Sequence, residues 1–538
     1  MTGSGDRDGR RQALLAFLAC WAVFLAYSFL RVPIPGINEP HYLGMAKADW
    51  DPAWCRGDLF LSSSRPHRAF YLLVGWLTQI LSLGQAAIVG RIVSLAIVAW
   101  GWSKLCRALG IAVHGVFLAA ASLLMIQSTG SWSGEWLIGG VESKVFAYGF
   151  VFAGWAGLIR GRANTAGLWL GLATTLHPVV GAWATVATLC ALAWIWWRGA
   201  GEAATAQSPL PRVPLRLVPT LWWFVAAAPG LGWALPALRS GDAATSQLAD
   251  FIQVSYRLAH HLDPWTFSKG NHLLFGGLVV LWLFSAVRGR RSEGYRLLDA
   301  ITAAAILFGL TAMALSYGPR PWSYPPSAVA TLQLKLLKFY PFRLADLMSA
   351  VAVAIAIARS AMTWNLPRPA TVFIAATGVS MAILLPGPDK TPGMLSGKTR
   401  QDWIATLHWV KANTPADALL LAANEDFGVK WWAERPEYVN FKDCPQNATG
   451  IVEWNARLLR YSAWVQSSMQ GDASISQAEL LELHRQTGVT HVIVSRLGPF
   501  SATPAFSQGK FSVYETQNAS SNREGEAPPE PRPANDSP

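Results

Sequence analysis

The chain has 538 residues, of which 52% are hydrophobic and only 14% are charged, and its mean hydropathy is +0.27. A soluble protein of this size carries roughly a quarter charged residues, so this composition excludes an ordinary soluble fold. The net charge of +12 comes from short basic clusters between apolar runs. Such clusters mark membrane topology and not a nucleic-acid-binding face, so we predict no nucleic-acid partner.

Apolar runs that are long enough to cross a lipid bilayer recur along the first 387 residues. A spanning helix needs roughly 20 such residues. The first run follows basic residues and lacks a small-residue cleavage site after it, which predicts a retained signal anchor. The sequence therefore predicts a mainly α, polytopic bundle of about eleven transmembrane helices, at approximately 12–30, 87–103, 111–127, 144–160, 163–178, 179–197, 219–238, 270–287, 297–316, 343–360 and 369–386.

Residues 68–83 fit either a span or a helix that lies on the membrane surface. If this segment does not cross, nearly every short basic cluster falls on one side of the membrane, as the positive-inside rule requires. We therefore predict an interfacial helix, with the N-terminus cytoplasmic and the chain integral to the cell (inner) membrane. The outer segments are then 31–86, 128–143, 239–269, 317–342 and everything after about 387.

After about residue 388 the composition becomes that of a soluble protein, which predicts a small extracytoplasmic α/β domain over 388–516. Two segments, one with Trp431 and Trp432 and the next with Phe441 and Lys442, predict a strand–turn–strand edge that serves either for packing or as a lid. The tail 517–538 is rich in Pro, Glu, Asn and Ser, which predicts disorder. The predicted strands are 418–423, 437–441, 490–495 and 510–515, and the predicted helices are 400–413, 450–467 and 476–487.

The first outer loop carries a carboxylate, Glu39, directly after the first span. A carboxylate at the membrane surface can act as a general base, or help to hold a divalent cation against a phosphate. The alternative is an exposed glutamate in a helix-capping loop.

Two further outer positions carry ionisable residues beside apolar runs. Glu142 and Lys144 lie where a predicted span enters the membrane, and ionisable groups at such depth are usually functional or paired with each other. His177 precedes Pro178 at the outer end of two spans. It fits either a substrate contact or a hydrogen-bonded structural histidine at a helix end.

The densest polar stretch is 256–264, which combines Arg257 with the adjacent His260 and His261. Arginine suits the recognition of phosphate, so contact with an anionic substrate is one interpretation. A metal site and a purely structural loop are the others. Basic residues also interrupt the apolar stretch 331–350, where Arg343 and its neighbours fit either a lipid-phosphate contact or side chains that extend to the headgroups.

Cys55 and Cys444 are both predicted to face an oxidising compartment. A disulfide between the first outer loop and the C-terminal domain is therefore a hypothesis.

Taken in order, these features resemble the GT-C superfamily, which are membrane glycosyltransferases that use polyprenyl-phosphate-linked sugars. The resemblance rests on a single first span, an outer loop that opens with the motif 38–42, an interfacial helix, a span with Arg91 near its outer end, and an outer α/β domain. The segments 140–144, 176–178 and 256–264 resemble a bacterial branch of GT-C-like proteins.

The resemblance implies that Glu39 activates an acceptor hydroxyl or organises the site. It implies that Arg257, His260 and Arg343 neutralise the departing lipid phosphate. Asn38 stands where the superfamily usually has aspartate. A divalent cation stays an open option, and the sequence assigns neither metal ligands nor an oligomeric state. The remaining residues that the resemblance places near substrate are His41, Arg91, Glu142, Lys144, His177 and His261.

The leading hypothesis is therefore an integral membrane glycosyltransferase that takes sugar from a polyprenyl-phosphate-linked donor at the outer face. A transporter or flippase of a lipid-linked substrate is the alternative, although such proteins often show internal repeats and helices broken near the midplane, and no convincing repeat is visible. A non-catalytic scaffold of GT-C shape is a third hypothesis, for which Asn38 is the best support.

Overall fold

The structure, a computed structural model, describes residues 3–199, 217–238, 241–288, 292–385, 392–422, 427–470 and 474–517. Apolar helices form a bundle over most of this length, and a small α/β domain follows them. The helices that precede the domain are α1 (Gly3–Arg31), α2 (Glu39–Trp50), α3 (Arg68–Gly75), α4 (Leu83–Ala108), α5 (Val113–Thr129), α6 (Ser143–Ile159), α7 (Ala163–Leu176), α8 (Pro178–Gly199), α9 (Leu217–Leu238), α10 (Ala243–Phe251), α11 (Ala259–Leu262), α12 (Lys269–Val287), α13 (Glu293–Leu315), α14 (Ala328–Leu337), α15 (Arg343–Thr363) and α16 (Arg368–Leu384).

Every predicted span coincides with a helix of the bundle. Among the described residues, seven helices are long and apolar enough to cross a membrane by length and composition, and α5, α6 and α16 are shorter apolar helices. The prediction of a polytopic helical membrane protein with a small C-terminal α/β domain is confirmed. The helices that coincide with the eleven predicted runs are α1, α4 to α9, α12, α13, α15 and α16.

Glycines let neighbouring helices of the bundle approach closely. A Cβ atom on Gly101 of α4 would overlap the carbonyl oxygen of Gly149 in α6, and one on Gly167 of α7 would overlap the carbonyl oxygen of Pro219 in α9. Because lipid tails are as apolar as leucine side chains, helices in a membrane associate through such close packing.

The predicted outer loops meet at one end of the bundle, which we call the domain end because the C-terminal domain lies there too. Ser28 near the end of α1 donates to the carbonyl oxygen of Gly139 at 2.6 Å, and the N–H of Trp132 donates to Asp346 in α15 at 2.7 Å. At the opposite end, Arg107 bonds to the N-terminal part of α1 at 3.1 Å. The relative sidedness of the loops thus matches the predicted alternation, while the side of the membrane that each end faces remains a prediction.

Residues 68–83 form the short helix α3 and a 3-10 turn at Trp76–Gln79 before α4 begins at Leu83. Eight helical residues extend only about 12 Å, well short of the roughly 30 Å hydrocarbon core. This segment is therefore too short to be a span. Its position at the membrane surface stays a prediction.

The apolar stretch 331–350, in which the sequence predicts an interfacial basic helix, is divided between two helices. The helix α14 ends at Leu337, and α15 begins at Arg343. Between them the chain turns through Tyr340, which has a positive φ of 55°. Lys338 pairs with Asp250 at 2.8 Å, so its ammonium is held by protein.

The C-terminal domain packs helices against a small sheet. Its strands run in the order β1-β2-β4-β3, with β1 parallel to β2 and the other pairs antiparallel. The fully buried Trp403 and Trp454 anchor the two apolar clusters that flank the sheet. Its elements are α17 (Gly397–Asn413), β1 (Leu420–Leu421), α18 (Val429–Trp432), α19 (Ala448–Gln470), α20 (Gln477–Thr487), β2 (His491–Val494), β3 (Phe506–Gln508) and β4 (Phe511–Glu515).

Some predicted elements of the domain differ from the observed ones. Trp431 and Trp432 lie on the short helix α18 and not on a strand–turn–strand edge. The predicted strand 437–441 is reduced to a single bridge between Glu437 and Leu420, and β3 was not predicted. Short apolar runs do not distinguish a strand from a helix by periodicity, which explains these errors. The predicted tail from residue 518 onwards and the predicted boundary near 387 lie outside the described residues.

The hypothesised disulfide is wrong, because Cys55 and Cys444 are both free thiols. They also have different charged neighbours. Cys55 is buried near Asp58, whereas Cys444 lies near Arg257.

Candidate active site

Glu39 is the first residue of α2, and its carboxylate is fully buried against the guanidinium of Arg91 in α4. Arg91 Nε lies 2.7 Å from Glu39 Oε1, and Arg91 Nη2 lies 2.8 Å from Glu39 Oε2. The backbone N–H groups of Gly36 and Val141 donate to the same oxygens, at 2.6 and 2.9 Å. Each carboxylate oxygen thus accepts two hydrogen bonds, which leaves no acceptor site free for a substrate proton.

The N–H groups of the Arg91 guanidinium are all hydrogen-bonded as well. Its remaining N–H groups donate to backbone carbonyl oxygens of Ser28, Val32 and Pro33, at 3.4, 2.7 and 2.6 Å. We call this closed pair the Glu39–Arg91 clamp. It joins the end of α1, the start of α2 and the loop before α6. Its geometry fits a structural role and offers neither the general base nor the substrate contact that the resemblance implies.

A second group of charges lies beside the clamp, and we call Glu135, Glu142, Lys144 and Arg343 the Glu142 cluster. Asn38 Nδ2 donates to Glu142 Oε1 at 3.0 Å. Lys144 Nζ lies 3.4 Å from Glu142 Oε2 and 3.5 Å from Glu135 Oε2. Arg343 Nε lies 3.1 Å from the same Glu135 oxygen. In the part of the chain that the structure describes, Glu142 Oε1 accepts only from Asn38, so it keeps an acceptor site.

Local structure explains why these side chains face one another. Glu142 immediately precedes α6, so its carboxylate lies at the positive end of the helix dipole. Lys144 is in the first turn of the same helix, and its ammonium lies 4.2 Å from the ring of Trp136. Both side chains are buried. The helix end and the Lys144 ammonium both stabilise the negative charge of Glu142.

Two imidazole rings extend the site towards α3. His177 follows α7, and its Nε2 lies 3.2 Å from Arg343 Nη1. The ring of His67 lies 4.6 Å from the ring of His177. Burial, with Arg343 nearby, lowers the pKa of His67 to about 3, so this ring is neutral at pH 7. Its Nδ1 is buried and has no hydrogen-bond partner among the described residues. A neutral imidazole with a free nitrogen suits a hydrogen bond to a substrate hydroxyl.

On the domain side, Arg257 Nη2 donates to the carbonyl oxygen of Lys442 at 2.8 Å, and the guanidinium stacks on the ring of Phe441. Arg257 is only 8% exposed, and its Nε has no hydrogen-bond partner within the described residues. His260 lies near the guanidinium of Arg257 and the ammonium of Lys442, and burial together with these charges lowers the pKa of its imidazole. The ammonium of Lys442 interacts electrostatically with Glu142 and Lys144. Arg257 and Lys442 are therefore linked to the Glu142 cluster.

The other two predicted histidines make structural contacts. His41 Nδ1 lies 2.9 Å from Asp443 Oδ1 in the C-terminal domain, and its ring packs 4.2 Å from that of Phe60. His261 Nδ1 lies 2.6 Å from the carbonyl oxygen of Ser133. Their ring nitrogens are thus engaged by protein atoms.

The structure therefore brings Glu142, Lys144, His177 and Arg343 together, with Arg257 and His260 on the domain side. Sequence reasoning missed Glu135 and His67. Glu135 shares the predicted outer loop 128–143, so a search for further carboxylates in that loop would have found it. Nothing in the sequence indicates that His67 meets a residue more than a hundred positions away.

A groove of about 510 Å³ is lined in part by residues on both sides of His67 in the chain. One wall is apolar and comes from Trp233, Pro236 and their neighbours in the spanning helix α9, and the other is polar and includes Arg65 and Arg68. His67 lies between these two arginines in the chain. The groove therefore combines a lipid-compatible wall with a polar wall whose two arginines pair with Asp49.

The arrangement can take up a proton at Glu142 and stabilise negative charge at the nearby cations. Among the described residues, no group of three or more His, Cys, Asp or Glu side chains is arranged to hold a metal ion.

Residues 401–461 match DUF6798, a domain family of unknown function. No curated protein matches the chain. Two solved structures are similar over most of its length. One is apo ArnT from Cupriavidus metallidurans, at 10% identity and a TM-score of 0.39, covering 96% of this chain and 99% of that one.

The other is the archaeal oligosaccharyltransferase AglB from Archaeoglobus fulgidus, in complex with an inhibitory peptide and a dolichol-phosphate. It is 12% identical with a TM-score of 0.40, covering 89% of this chain and 69% of that chain. Both likenesses cover most of this chain. Identities this low, with TM-scores below 0.5, assign no activity, so the function is argued from the site.

Proposed function

We propose that this chain is a membrane glycosyltransferase that takes a sugar from a polyprenyl-phosphate-linked donor at the outer face of the membrane. The observation that carries the proposal is a group of two carboxylates, Glu142 and Glu135, with the cations of Lys144 and Arg343 at the domain end of the bundle and Arg257 on the domain side. A carboxylate that keeps an acceptor site, next to several cations, is suited to a reaction that moves a proton and releases a phosphate.

In the proposed reaction, Glu142 accepts the proton of an acceptor hydroxyl while the acceptor oxygen attacks the anomeric carbon of the sugar. The bond between that carbon and the phosphate oxygen breaks, and its electron pair leaves with the lipid phosphate. Arg343 and Arg257 stabilise the negative charge that develops on the phosphate. Asn38, which donates to Glu142, holds the carboxylate in place.

Glu39 has a different role in this proposal from the one that the resemblance implies. Its four hydrogen bonds occupy the carboxylate, so we assign it the positioning of the neighbouring Asn38 and, through Asn38, of Glu142. The general base is therefore reassigned from Glu39 to Glu142.

The groove supports a lipid-linked substrate. The apolar wall on α9 suits a prenyl chain, and the polar wall with Arg65 and Arg68 suits its headgroup. The loop that carries these arginines also carries His67, whose ring lies 4.6 Å from the ring of His177. A lipid in this groove would present its phosphate-linked sugar near the Glu142 cluster.

The test uses full-length protein in proteoliposomes with radiolabelled polyprenyl-phosphate-linked sugars and a cell-envelope fraction as the source of acceptor. We expect the wild-type protein to release polyprenyl phosphate and Glu142→Gln to release almost none. Glu453→Gln is the matched control, because Glu453 is partly exposed on α19 and, among the described residues, its ion pairs are with arginines of that helix.

Movement of labelled lipid between the leaflets without release of polyprenyl phosphate would overturn the proposal in favour of a transporter. Full activity of Glu142→Gln would remove Glu142 from the mechanism. Absence of both transfer and transport, with every donor offered, would favour a non-catalytic scaffold.

A further inference from the structure

Two cations near the candidate site, Arg257 and Lys442, have no carboxylate within ion-pair distance among the described residues. Arg257 uses one N–H on the carbonyl oxygen of Lys442, and its buried Nε is unpaired. Burial and the neighbouring Arg257 lower the pKa of Lys442 to about 8. Burying the Arg257 guanidinium, and partly burying the Lys442 ammonium, without an ion-pair partner is costly. Two such cations side by side therefore indicate a place where an anionic ligand binds.

We infer that the C-terminal domain completes the proposed active site, with Lys442 as an anion-binding residue and a buried network around Lys430 as the device that positions it. This inference rests on the proposed function, because the anion is the phosphate of the lipid-linked substrate.

The network is centred on the ammonium of Lys430, in α18, which is 1% exposed. Its Nζ lies 3.0 Å from Asp58 Oδ2, 2.7 Å from Glu437 Oε2 and 2.7 Å from Asp443 Oδ2. The three protons of the ammonium thus have three carboxylate partners. Since the ammonium already occupies the point where the carboxylates converge, the network is a closed structural device and leaves no room for a metal ion.

The network reaches Lys442 through its chain neighbour Asp443. Burial alone would raise the pKa of Asp443, but Lys430 and His41 hold it well below its usual range, so this carboxylate stays charged. The N–H of Asp443 donates to Asn440 Oδ1 at 2.7 Å, and Asn440 Nδ2 donates back to Asp443 Oδ2 at 3.1 Å. These bonds fix the backbone on both sides of Lys442.

The same network also ties the domain to the first loop of the membrane bundle. Asp58 comes from that loop, and it accepts a further hydrogen bond from the N–H of Glu437 at 3.1 Å. His41 comes from α2, three residues after Asn38, and bonds to Asp443 at 2.9 Å. Lys442 and the Asn38–Glu142 pair are therefore held in one frame by buried charge contacts.

This placement gives a role to the part of the chain that matches a domain family of unknown function. Lys430, Glu437, Lys442 and Asp443 all lie within the matched residues 401–461. In this protein the segment acts as a rigid arm that delivers a cation to a site whose other groups come from the helical bundle.

The first test measures the binding of undecaprenyl phosphate to the full-length protein in detergent. We expect Lys442→Met to weaken binding roughly tenfold or more, as expected for the loss of one charge-assisted contact, and Lys442→Arg to retain most of it. Lys411→Met is the matched control, because Lys411 is half exposed in the same domain and pairs with Glu434. It should bind as wild type does.

The positioning role is tested by a double-mutant cycle. If Lys430 acts through Lys442, the variant with both Lys430→Met and Lys442→Met will bind the probe as weakly as Lys442→Met alone. Additive losses would contradict the positioning role. Should Lys430→Met fail to fold, Asp58→Asn is the milder variant, since it leaves Lys430 two carboxylates.

The inference and the proposed function fail in different ways. A wild-type protein that does not bind undecaprenyl phosphate would contradict the proposed function. Wild-type binding that Lys442→Met leaves unchanged would overturn only the inference. Glu142→Gln should retain binding of the probe while losing sugar transfer, because Glu142 acts on the acceptor proton and not on the phosphate.

Discussion

The Glu39–Arg91 clamp and the Glu142 cluster lie side by side at the domain end of the bundle, and both are buried groups of opposite charge. They differ in how many of their hydrogen-bond donor and acceptor sites are occupied. The clamp has bidentate contacts of 2.7 and 2.8 Å, and both of its carboxylate oxygens accept a further backbone N–H. The closest ion pairs of Glu142 are at 3.4 Å, and Glu142 Oε1 has only Asn38 as a described donor.

Under the proposed function, this difference separates a structural charge pair from a reactive one. A saturated pair is stable because every polar atom is satisfied, and for the same reason it has nothing to offer a substrate. A carboxylate with a free acceptor site beside incompletely paired cations can respond to a ligand. The more conspicuous acidic motif of the sequence is thus the structural one.

The largest expected effect is on the rate of sugar transfer, which should distinguish Glu142 from Glu39. Glu142→Gln should lower the rate of sugar transfer by about 100- to 10,000-fold, the usual contribution of a general base, and leave the unfolding temperature near that of the wild type. Transfer assays on protein that elutes as a single species in size-exclusion chromatography check this. A strongly lowered unfolding temperature would place Glu142 with Glu39 as a structural residue.

Glu39→Gln should instead lower mainly the stability of the protein. It leaves Arg91 as an uncompensated buried charge, which typically costs about 3–5 kcal/mol of folding free energy. Thermal unfolding in detergent and the yield of folded protein measure this loss. Transfer that disappears in fully folded Glu39→Gln protein of unchanged stability would restore Glu39 as a catalytic residue.

A smaller effect is expected for Arg257, which binds phosphate in the proposed reaction. Arg257→Met should raise KM for the lipid-linked donor about 10- to 100-fold, as for the loss of a charge-assisted hydrogen bond. The kinetic constants for the donor measure it, with Arg460→Met as control, because Arg460 lies on the exposed surface of α19. Equal KM values for the two variants would exclude Arg257 from the donor site.

The pH dependence of donor binding should identify Lys442. Its pKa is lowered from 10.5 to about 8, so the side chain is charged below pH 8 and loses its proton as the pH rises through that value. Donor binding should therefore weaken severalfold between about pH 7 and 9. Arginine stays charged over this range, so Lys442→Arg should move the decline to higher pH. An identical pH profile in both proteins would assign the decline to another group.

The smallest expected effect concerns the thiols. Cys55 and Cys444 are free thiols, so the variant with both replaced by serine should keep the activity of the wild type. Its free energy of unfolding should stay within about 0.5 kcal/mol of the wild type, apart from the cost of burying a serine at position 55. A thiol-specific label should react with both cysteines in protein that is unfolded without reductant. A failure to label them would show that they pair in the cell envelope.

The sequence predicted the transmembrane helices well and the site only in part. Long apolar runs are set by the thickness of the bilayer, so each predicted span matched a helix. Glu142, Lys144 and His177 were found because ionisable groups are rare beside such runs. His67 and Glu135 escaped, because neither lies in a pattern that composition or spacing distinguishes. Lys442 was noted only as part of a lid, since its unpaired state depends on what surrounds it.

The sequence by itself determined that the chain crosses a membrane many times, that a small α/β domain follows, and which polar loops share one end of the bundle. These features follow from the local hydrophobicity and charge of each segment. Only the tertiary structure decided that Glu39 is saturated by Arg91 and two backbone N–H groups while Glu142 is not. Whether a carboxylate can react depends on the number of donors that reach it, and those donors come from residues distant in the chain.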